Sequence, residues 1–171
     1  MTIIKPWSGW QSINWSELWL YRDLFYFLVW RDIKTRYAQS VLGIGWAVIQ
    51  PLFSMIVFTI VFGNLVKIDS NGVPYAIFSF TALVPWTYFS GSLSASSGSL
   101  LNASGMITKV YFPRLIIPLV PVISKLIDFF IALFLLAAMM YYFGFAPSID
   151  IIYLPFLILL MIFTASGLGM W

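Results

Sequence analysis

Long uncharged stretches of mostly apolar residues alternate with short charged ones along the chain. The 15 charged residues leave four uncharged stretches, at 37–66, 70–108, 129–149 and 151–171. A helix rises about 1.5 Å per residue, so roughly 20 apolar residues cross a bilayer core about 30 Å thick. Each stretch is long enough for one crossing, and the pattern therefore predicts an all-α, polytopic membrane protein.

The pattern places four membrane-spanning helices, which we expect at 42–65, 73–94, 116–143 and 151–171. The 95–114 segment between the second and third of these helices differs in composition from its neighbours. It follows a run of small residues, SGSLSASSGS, and ends with basic residues. Small hydroxylated side chains suit tight helix contacts or an exit from the membrane. We expect a loop here that contains a short helix.

The first 40 residues are predicted to lie on the membrane surface. They carry eight of the fifteen charges, and six of the eight Trp and Tyr residues before Ser40 fall within 10–30. Their longest uncharged apolar stretch, 24–30, has only seven residues and is too short to cross. Aromatic rings favour the headgroup level, and basic side chains meet anionic lipid there. One or two amphipathic interfacial helices are expected, the alternative being a helix buried against the spans.

Composition excludes several classes of function. Hydrophobic residues make up 61% of the chain and charged residues 9%, which leaves no room for a soluble domain of any size. The sequence contains neither Cys nor His, so the commonest metal ligands and acid/base groups are missing. It also lacks the G-x-x-x-x-G-K-[ST] loop that binds nucleotide phosphates. We therefore expect a non-catalytic chain with no bound metal or cofactor and no nucleic-acid partner.

The distribution of basic residues predicts the orientation. Cytoplasmic segments carry an excess of Lys and Arg in membrane proteins. With the amino terminus inside, the outer loops contain only Lys67, and the cytoplasmic segments contain seven basic residues, namely Lys5, Arg22, Arg31, Lys34, Arg36, Lys109 and Arg114. The amino terminus and the 95–114 loop are accordingly expected in the cytoplasm.

Two groups within the predicted spans are candidates for function. Lys125 and Asp128 are three residues apart on one helical face and are predicted to form an intramembrane ion pair. This pair either anchors the span or lines a water-filled path. The aromatic residues Trp86, Tyr88 and Phe89 are either interfacial side chains or a stacking surface for sugar rings.

Two ordered stretches resemble a known family. Residues 24–52, LFYFLVWRDIKTRYAQSVLGIGWAVIQPL, and residues 99–129, SLLNASGMITKVYFPRLIIPLVPVISKLIDF, are similar to the permease subunits of ABC-type polysaccharide exporters. That family moves O-antigen, capsule or teichoic acid chains across the cytoplasmic membrane. The resemblance implies a permease for a lipid-linked glycan in the inner membrane of a bacterium.

The resemblance also implies an assembly. Permeases of this family are homodimers with six spans each, joined to two copies of a separate ABC ATPase subunit that binds ATP and Mg. The chain has four of the six expected spans, so it is interpreted as the amino-terminal part of a larger permease. The expected partners are the ATPase subunit, a second permease, membrane lipids and the glycan substrate.

The family's functional segments can be carried over to matching positions. The gate region at the cytoplasmic entrance corresponds to 31–37, with Arg31, Asp32, Lys34, Arg36 and Tyr37. The coupling loop, which contacts the ATPase, corresponds to 95–114, with Asn102, Ile107, Lys109, Tyr111, Phe112 and Arg114. From composition alone, the first segment could equally be an ordinary basic flank and the second a surface connector.

Other functions remain open from the sequence. A small-molecule or drug ABC exporter would share the order of spans, but would have a closed pocket in place of a wide channel. A membrane-embedded transferase for lipid-linked sugars would need a carboxylate or His at the depth of the headgroups. The inward candidates are Asp23, Asp32 and Asp128, and none of them pairs with a second carboxylate in the sequence. A non-catalytic scaffold would leave the resemblance of the coupling loop unexplained.

Overall fold

The computed structural model describes residues 15–38, 43, 45–70, 72–107, 111–145 and 147–170, and all regular structure within these ranges is helical. The predicted all-α fold class is confirmed. A π-helix, Thr59–Leu65, directly follows the α-helix Gly45–Phe58, and a 3₁₀-helix, Ile149–Tyr153, leads into the α-helix Leu154–Gly169. The α-helices in chain order are α1 (Trp15–Leu20), α2 (Arg22–Ala38), α3 (Gly45–Phe58), α4 (Tyr75–Asn102), α5 (Ser104–Ile107), α6 (Ile116–Ser124), α7 (Leu126–Tyr142) and α8 (Leu154–Gly169).

Three helical segments in the described part of the chain are long and apolar enough to cross a membrane. They are Gly45–Leu65, Ile116–Tyr142 and Ile149–Gly169. Each overlaps one of the predicted spans, namely the first, the third and the fourth. Very little of the first and last segments is buried within the chain, so most of their apolar side chains are available to lipid or to another subunit.

The central helix is α4, which overlaps the predicted second span. It has 28 uncharged residues but is less apolar than the three segments above. It packs against α3, α6, α7 and α8. A helix covered by protein needs less apolar surface than one that faces lipid. The lower hydropathy of α4 therefore agrees with its position inside the bundle.

The prediction that a loop begins at residue 95 is wrong. Helix α4 passes through Pro85 and the serine-rich run and ends at Asn102. Several serine side chains in this part of α4 donate to backbone carbonyls of the preceding turn, as Ser90 does to Trp86 (2.7 Å) and Ser99 to Ser96 (2.6 Å). Because these hydroxyls are satisfied within the helix, they do not require an exit into water. The helix spans about 42 Å and is longer than one bilayer core.

The main hydrophobic core lies between α4, α7 and α3. Buried side chains of α4 interdigitate with those of α7, and Met55 of α3 closes one side. The buried members of this core are Met55, Ile77, Phe80, Val84, Tyr88, Phe129, Ala132 and Leu136. The core holds α4 and the α6–α7 segment in a fixed register, which positions the polar residues described below.

Small residues allow α8 and α6 to approach α4 closely. Ser96 is fully buried, and its hydroxyl donates to the carbonyl of Pro118 in α6 (2.9 Å). Gly169 of α8 packs directly on the same serine, because a Cβ atom at position 169 would lie 2.5 Å from the Ser96 Cβ. A close approach of helix backbones at small residues is a common packing mode in membranes.

Adding one methyl group at Gly169 is expected to disturb this contact. Gly169→Ala should lower the free energy of unfolding by about 1–3 kcal/mol, the usual cost of overpacking. Gly167→Ala is the matched control, because a Cβ at Gly167 meets no atom within 4 Å. Thermal unfolding of the detergent-solubilised permease measures both variants. Equal melting temperatures for the two would contradict the packing described here.

Helix α2 packs against α6 with one face only. Leu28 is 3% exposed and forms a second buried cluster with Ile116 and Val120. Large apolar side chains of α2, including Tyr26 and Trp30, remain exposed on other faces. One face of the helix is thus buried against a predicted span, as in the second alternative drawn from the sequence, and its other faces expose apolar side chains.

Candidate functional site

A cluster of polar side chains joins α2 to the junction between α6 and α7. The guanidinium of Arg36 forms ion pairs with Asp32 (2.7 Å) and with Asp128 (2.9 Å). Ser124 accepts a hydrogen bond from Arg36 and donates one to Asp32, each at 2.5 Å. The hydroxyl of Tyr37 donates to Asp128. We call these five residues the polar cluster.

Helical spacing explains why these five residues meet. Asp32 and Arg36 are four residues apart on α2, and Ser124 and Asp128 are four residues apart along α6 and α7, so each pair lies on one helix face. The contact of Leu28 with α6 turns both faces toward each other. Asp128 lies about 18 Å along the span from its start at Ile116, where an unpaired carboxylate would be costly.

Tyr37 is a neutral donor within the cluster. Burial raises the pKa of its hydroxyl, and the neighbouring Asp128 carboxylate raises this pKa further. The phenol therefore remains protonated at neutral pH and can donate a hydrogen bond to the carboxylate. Together with the guanidinium of Arg36, it satisfies both oxygens of Asp128.

In place of the predicted ion pair between Lys125 and Asp128, the structure has an ion pair between Asp128 and a residue far away in the sequence, Arg36. Asp128 is bonded to Arg36 and Tyr37, which lie 92 and 91 residues earlier in the chain. The Lys125 side chain instead extends along α4, where its Nζ would lie 3.0 Å from a Cβ at Gly91. A guanidinium can bond several acceptors at once, so Arg36 joins two carboxylates and a hydroxyl that one ammonium could not bridge as well.

A cavity of about 310 Å³ adjoins the polar cluster. It lies between α2, α3, α4 and α7, and its wall combines charged, polar and aromatic side chains. The polar and charged lining includes Arg36, Tyr37, Gln50, Ser54, Thr87, Tyr88, Lys125 and Asp128. Sequence reasoning missed Gln50, Ser54 and Thr87, because isolated polar residues in an apolar helix do not reveal which face they share.

The three predicted channel aromatics lie in different environments. Tyr88 is 4% exposed, lines the cavity and donates to the carbonyl of Val122 (3.1 Å). Trp86 is 63% exposed on the outside of α4, and Phe89 is partly buried. Because successive helical residues are separated by about 100°, residues 86 and 88 face in nearly opposite directions. These rings do not form one stacking surface within this chain.

A second cavity, of about 390 Å³, connects the gate region with the coupling loop. Arg31 and Asp32 of α2 line one side of it. Asn102 at the end of α4 and Gly105 in α5 line another, with α6 beneath them. These two segments, which are far apart in the sequence, thus enclose a common space.

The residues predicted for the coupling loop divide into buried and exposed positions. Phe112 is buried and attaches the loop to the bundle, whereas Tyr111 and Arg114 on either side of it are exposed. Asn102 is exposed at the end of α4 and Ile107 ends α5. Lys109 lies outside the described residues. In the gate region, Arg31 and Lys34 are exposed, whereas Asp32, Arg36 and Tyr37 are partly buried.

Comparison with known proteins decides the family. The family profile described as ABC-2 type transporter matches residues 23–171, which is most of the chain. The chain belongs to the ABC-2 type transporter family. The all-α fold, with three helical segments long and apolar enough to cross a membrane in the described part of the chain, agrees with that assignment.

Similar proteins have names that refer to polysaccharide transport. The chain is 30% identical over 146 residues to the O-antigen export system permease protein RfbA of Myxococcus xanthus, covering 85% of this chain and 55% of that protein. It is 29% identical over 128 residues to RfbA of Klebsiella pneumoniae, covering 75% and 49%. A shorter match, 25% over 76 residues, is to the polysialic acid transport protein KpsM of Escherichia coli, covering 44% and 30%. The chain spans about half the length of the RfbA proteins it matches.

Proposed function

We propose that this chain is the membrane-spanning permease part of an ATP-driven exporter that moves a lipid-linked polysaccharide of the O-antigen, capsule or teichoic acid type across the bacterial cytoplasmic membrane. The observation that carries the proposal is the similarity to the two RfbA permeases over three quarters or more of the chain. Their names, and that of KpsM, favour a polysaccharide over the small-molecule cargo that the sequence left open.

The proposed assembly contains two permeases and two ABC ATPase subunits, with ATP and Mg bound by the ATPase. The amino terminus lies in the cytoplasm, and the part of the coupling loop that follows α4 faces the ATPase. In that segment Tyr111 and Arg114 are exposed, and Phe112 is buried. Movement of the ATPase would therefore be transmitted to α4 and α6, which border the segment on either side.

The proposed mechanism is mechanical and involves α2. The second cavity lies between the coupling loop and α2, and residues of both line it. The polar cluster attaches α2 to the α6–α7 junction. ATP-driven displacement of the loop would change the shape of that cavity and tilt α4 and α6. A ligand-driven change of this kind requires different contacts of the ATPase with two permease states. We propose that α2 moves away from α6 in the conducting state and so admits the glycan.

Genetic complementation tests the proposed function. The full-length permease gene is deleted from its own organism, and surface glycan is measured with and without a plasmid copy. We expect the deletion to retain lipid-linked glycan inside the cell and the plasmid to restore its surface display. Normal surface glycan in the deletion strain, together with a loss of drug efflux, would support the small-molecule exporter instead.

Charge reversal in the coupling loop is expected to weaken ATPase binding. Arg114→Glu, alone or with Lys109→Glu, should reduce the amount of ATPase that co-purifies with the full-length permease about tenfold, if these cations face acidic groups of the partner. Lys67→Glu is the matched control, because Lys67 is an exposed cation of a different loop. Unchanged co-purification for both loop variants would contradict the assignment of this segment as the docking site.

A further inference from the structure

Lys125 lies beside the polar cluster but is not bonded to it. Within the described ranges, no carboxylate approaches its ammonium within 4 Å, although Asp128 is only three residues away. Its side chain rests along α4, and its Cε would lie 3.7 Å from a Cβ at Gly91. Glycine at this position leaves the space that the lysine side chain occupies.

Lys125 is nevertheless within reach of Asp128. Residues three apart on a helix have neighbouring side chains, about 5–6 Å apart at Cβ. Lys125, Asp128 and Arg36 all line the first cavity, so open space adjoins the three charged groups. Rotation about the side-chain bonds of Lys125 would move its ammonium from α4 toward the carboxylate without a change in the backbone.

The ion pairs of α2 and α7 can be rearranged so that each helix keeps a complete pair. Arg36 already has a partner within its own helix, Asp32, at 2.7 Å. If α2 moved away from α6, Arg36 would retain Asp32, whereas Asp128 would lose both Arg36 and Tyr37. Lys125 is then the one cation on the same span as Asp128, because the described span Ile116–Tyr142 contains no other Lys or Arg.

We propose that Lys125 is the alternative partner of Asp128, replacing Arg36 when α2 separates from α6. The exchange keeps the Asp128 carboxylate paired both when α2 is docked and when it has moved away. An unpaired charge in the membrane is costly, so the exchange lowers the free energy needed to separate α2 from α6. Lys125 acts as a positioning residue in this scheme. The inference rests on the proposed function only in that it assumes α2 moves during transport.

Thiol labelling at Leu28 measures the separation of α2 directly. Leu28 is buried against Ile116 and Val120 while α2 is docked, and these 171 residues contain no cysteine. We use Leu28→Cys in the full-length permease with its ATPase in nanodiscs, with any cysteine outside this segment replaced by serine. A water-soluble maleimide then labels the introduced thiol only when α2 has moved away. The labelling rate reports the population of the separated state.

Removal of the alternative partner should hold α2 in place. In the Leu28→Cys background, Lys125→Gln is expected to lower the labelling rate about tenfold, and Arg36→Gln to raise it by a similar factor. The double variant should label at about the rate of the parent, because each substitution weakens one of the two pairings. Lys125→Arg preserves the charge and should label like the parent.

The opposite result for Lys125→Gln would overturn the proposal. If Lys125 only stabilised packing, its removal would loosen the bundle and raise the labelling rate, and an unchanged rate would show that Lys125 has no role in α2 movement. Lys67→Gln, in a different loop, controls for a general effect of charge. The labelling assay needs no glycan, so a permease that shows the exchange but exports no glycan would refute the proposed function alone.

Discussion

Replacing Asp128 with asparagine is expected to lower the free energy of unfolding by about 1–3 kcal/mol and to weaken the attachment of α2. The substitution removes the charged acceptor that Arg36 and Tyr37 share. Hydrogen bonds to charged groups contribute about 1.5–3 kcal/mol. The side chains of Arg36 and Asp128 are 30% and 39% exposed, so we expect less than the cost of breaking a fully buried pair.

A double-mutant cycle isolates this interaction. The melting temperatures of Asp128→Asn, Arg36→Gln and the double variant are compared in detergent. We expect the double variant to be less destabilised than the sum of the two single ones, by about 1–2 kcal/mol. Asp23→Asn is the matched control. Asp23 is 96% exposed and forms a long ion pair with Arg22, at 3.7 Å, so its replacement should not change the melting temperature measurably. Strict additivity would show that Arg36 and Asp128 do not interact.

Truncation of Tyr88 is expected to destabilise the helix bundle strongly. Tyr88→Ala should lower the free energy of unfolding by about 3–4 kcal/mol, as for other large buried aromatics. The ring packs on Phe129 with centroids 5.2 Å apart, and its hydroxyl satisfies the carbonyl of Val122. Tyr88→Phe keeps the ring and loses only the hydrogen bond, so about 1 kcal/mol is expected.

Trp86 provides the internal comparison for Tyr88. It is on the same helix, is at least as large, and is exposed. The melting temperature of Trp86→Ala should match that of the parent protein, whereas the melting temperature of Tyr88→Ala should be many degrees lower. If the two alanine variants were equally unstable, the orientation of α4 would differ from that described here.

The sequence predicted the long apolar helices because their signal is local. Charge-free apolar runs identify helices that cross a bilayer whatever their neighbours are, and the segments Gly45–Leu65 and Ile149–Gly169 overlap the predictions closely. The position at which α4 ends could not be predicted from such a run. The serine-rich run resembles a loop in composition, but it lies within a helix. There Ser97 and Ser99 bond to carbonyls of the same helix, and small side chains such as Ser96 allow α6 and α8 to pack closely.

The candidate site was predictable only in part. The sequence identified Arg36, Tyr37 and Asp128 as important, but it paired Asp128 with its nearest cation in the chain. The observed partner is 92 residues away, and only the docking of α2 on α6 through Leu28 brings the two together. A weak signal was present, because Asp32 with Arg36, and Ser124 with Asp128, each share one face of a helix.

Reconstituted transport tests the central claim most directly. The full-length permease is assembled with its ATPase subunit in proteoliposomes, and the translocation of a labelled lipid-linked polysaccharide is followed by its protection from an external glycosidase. We predict ATP-dependent translocation of the polysaccharide, with none of a fluorescent drug under the same conditions. ATP-dependent accumulation of the drug with no movement of the polysaccharide would contradict the account.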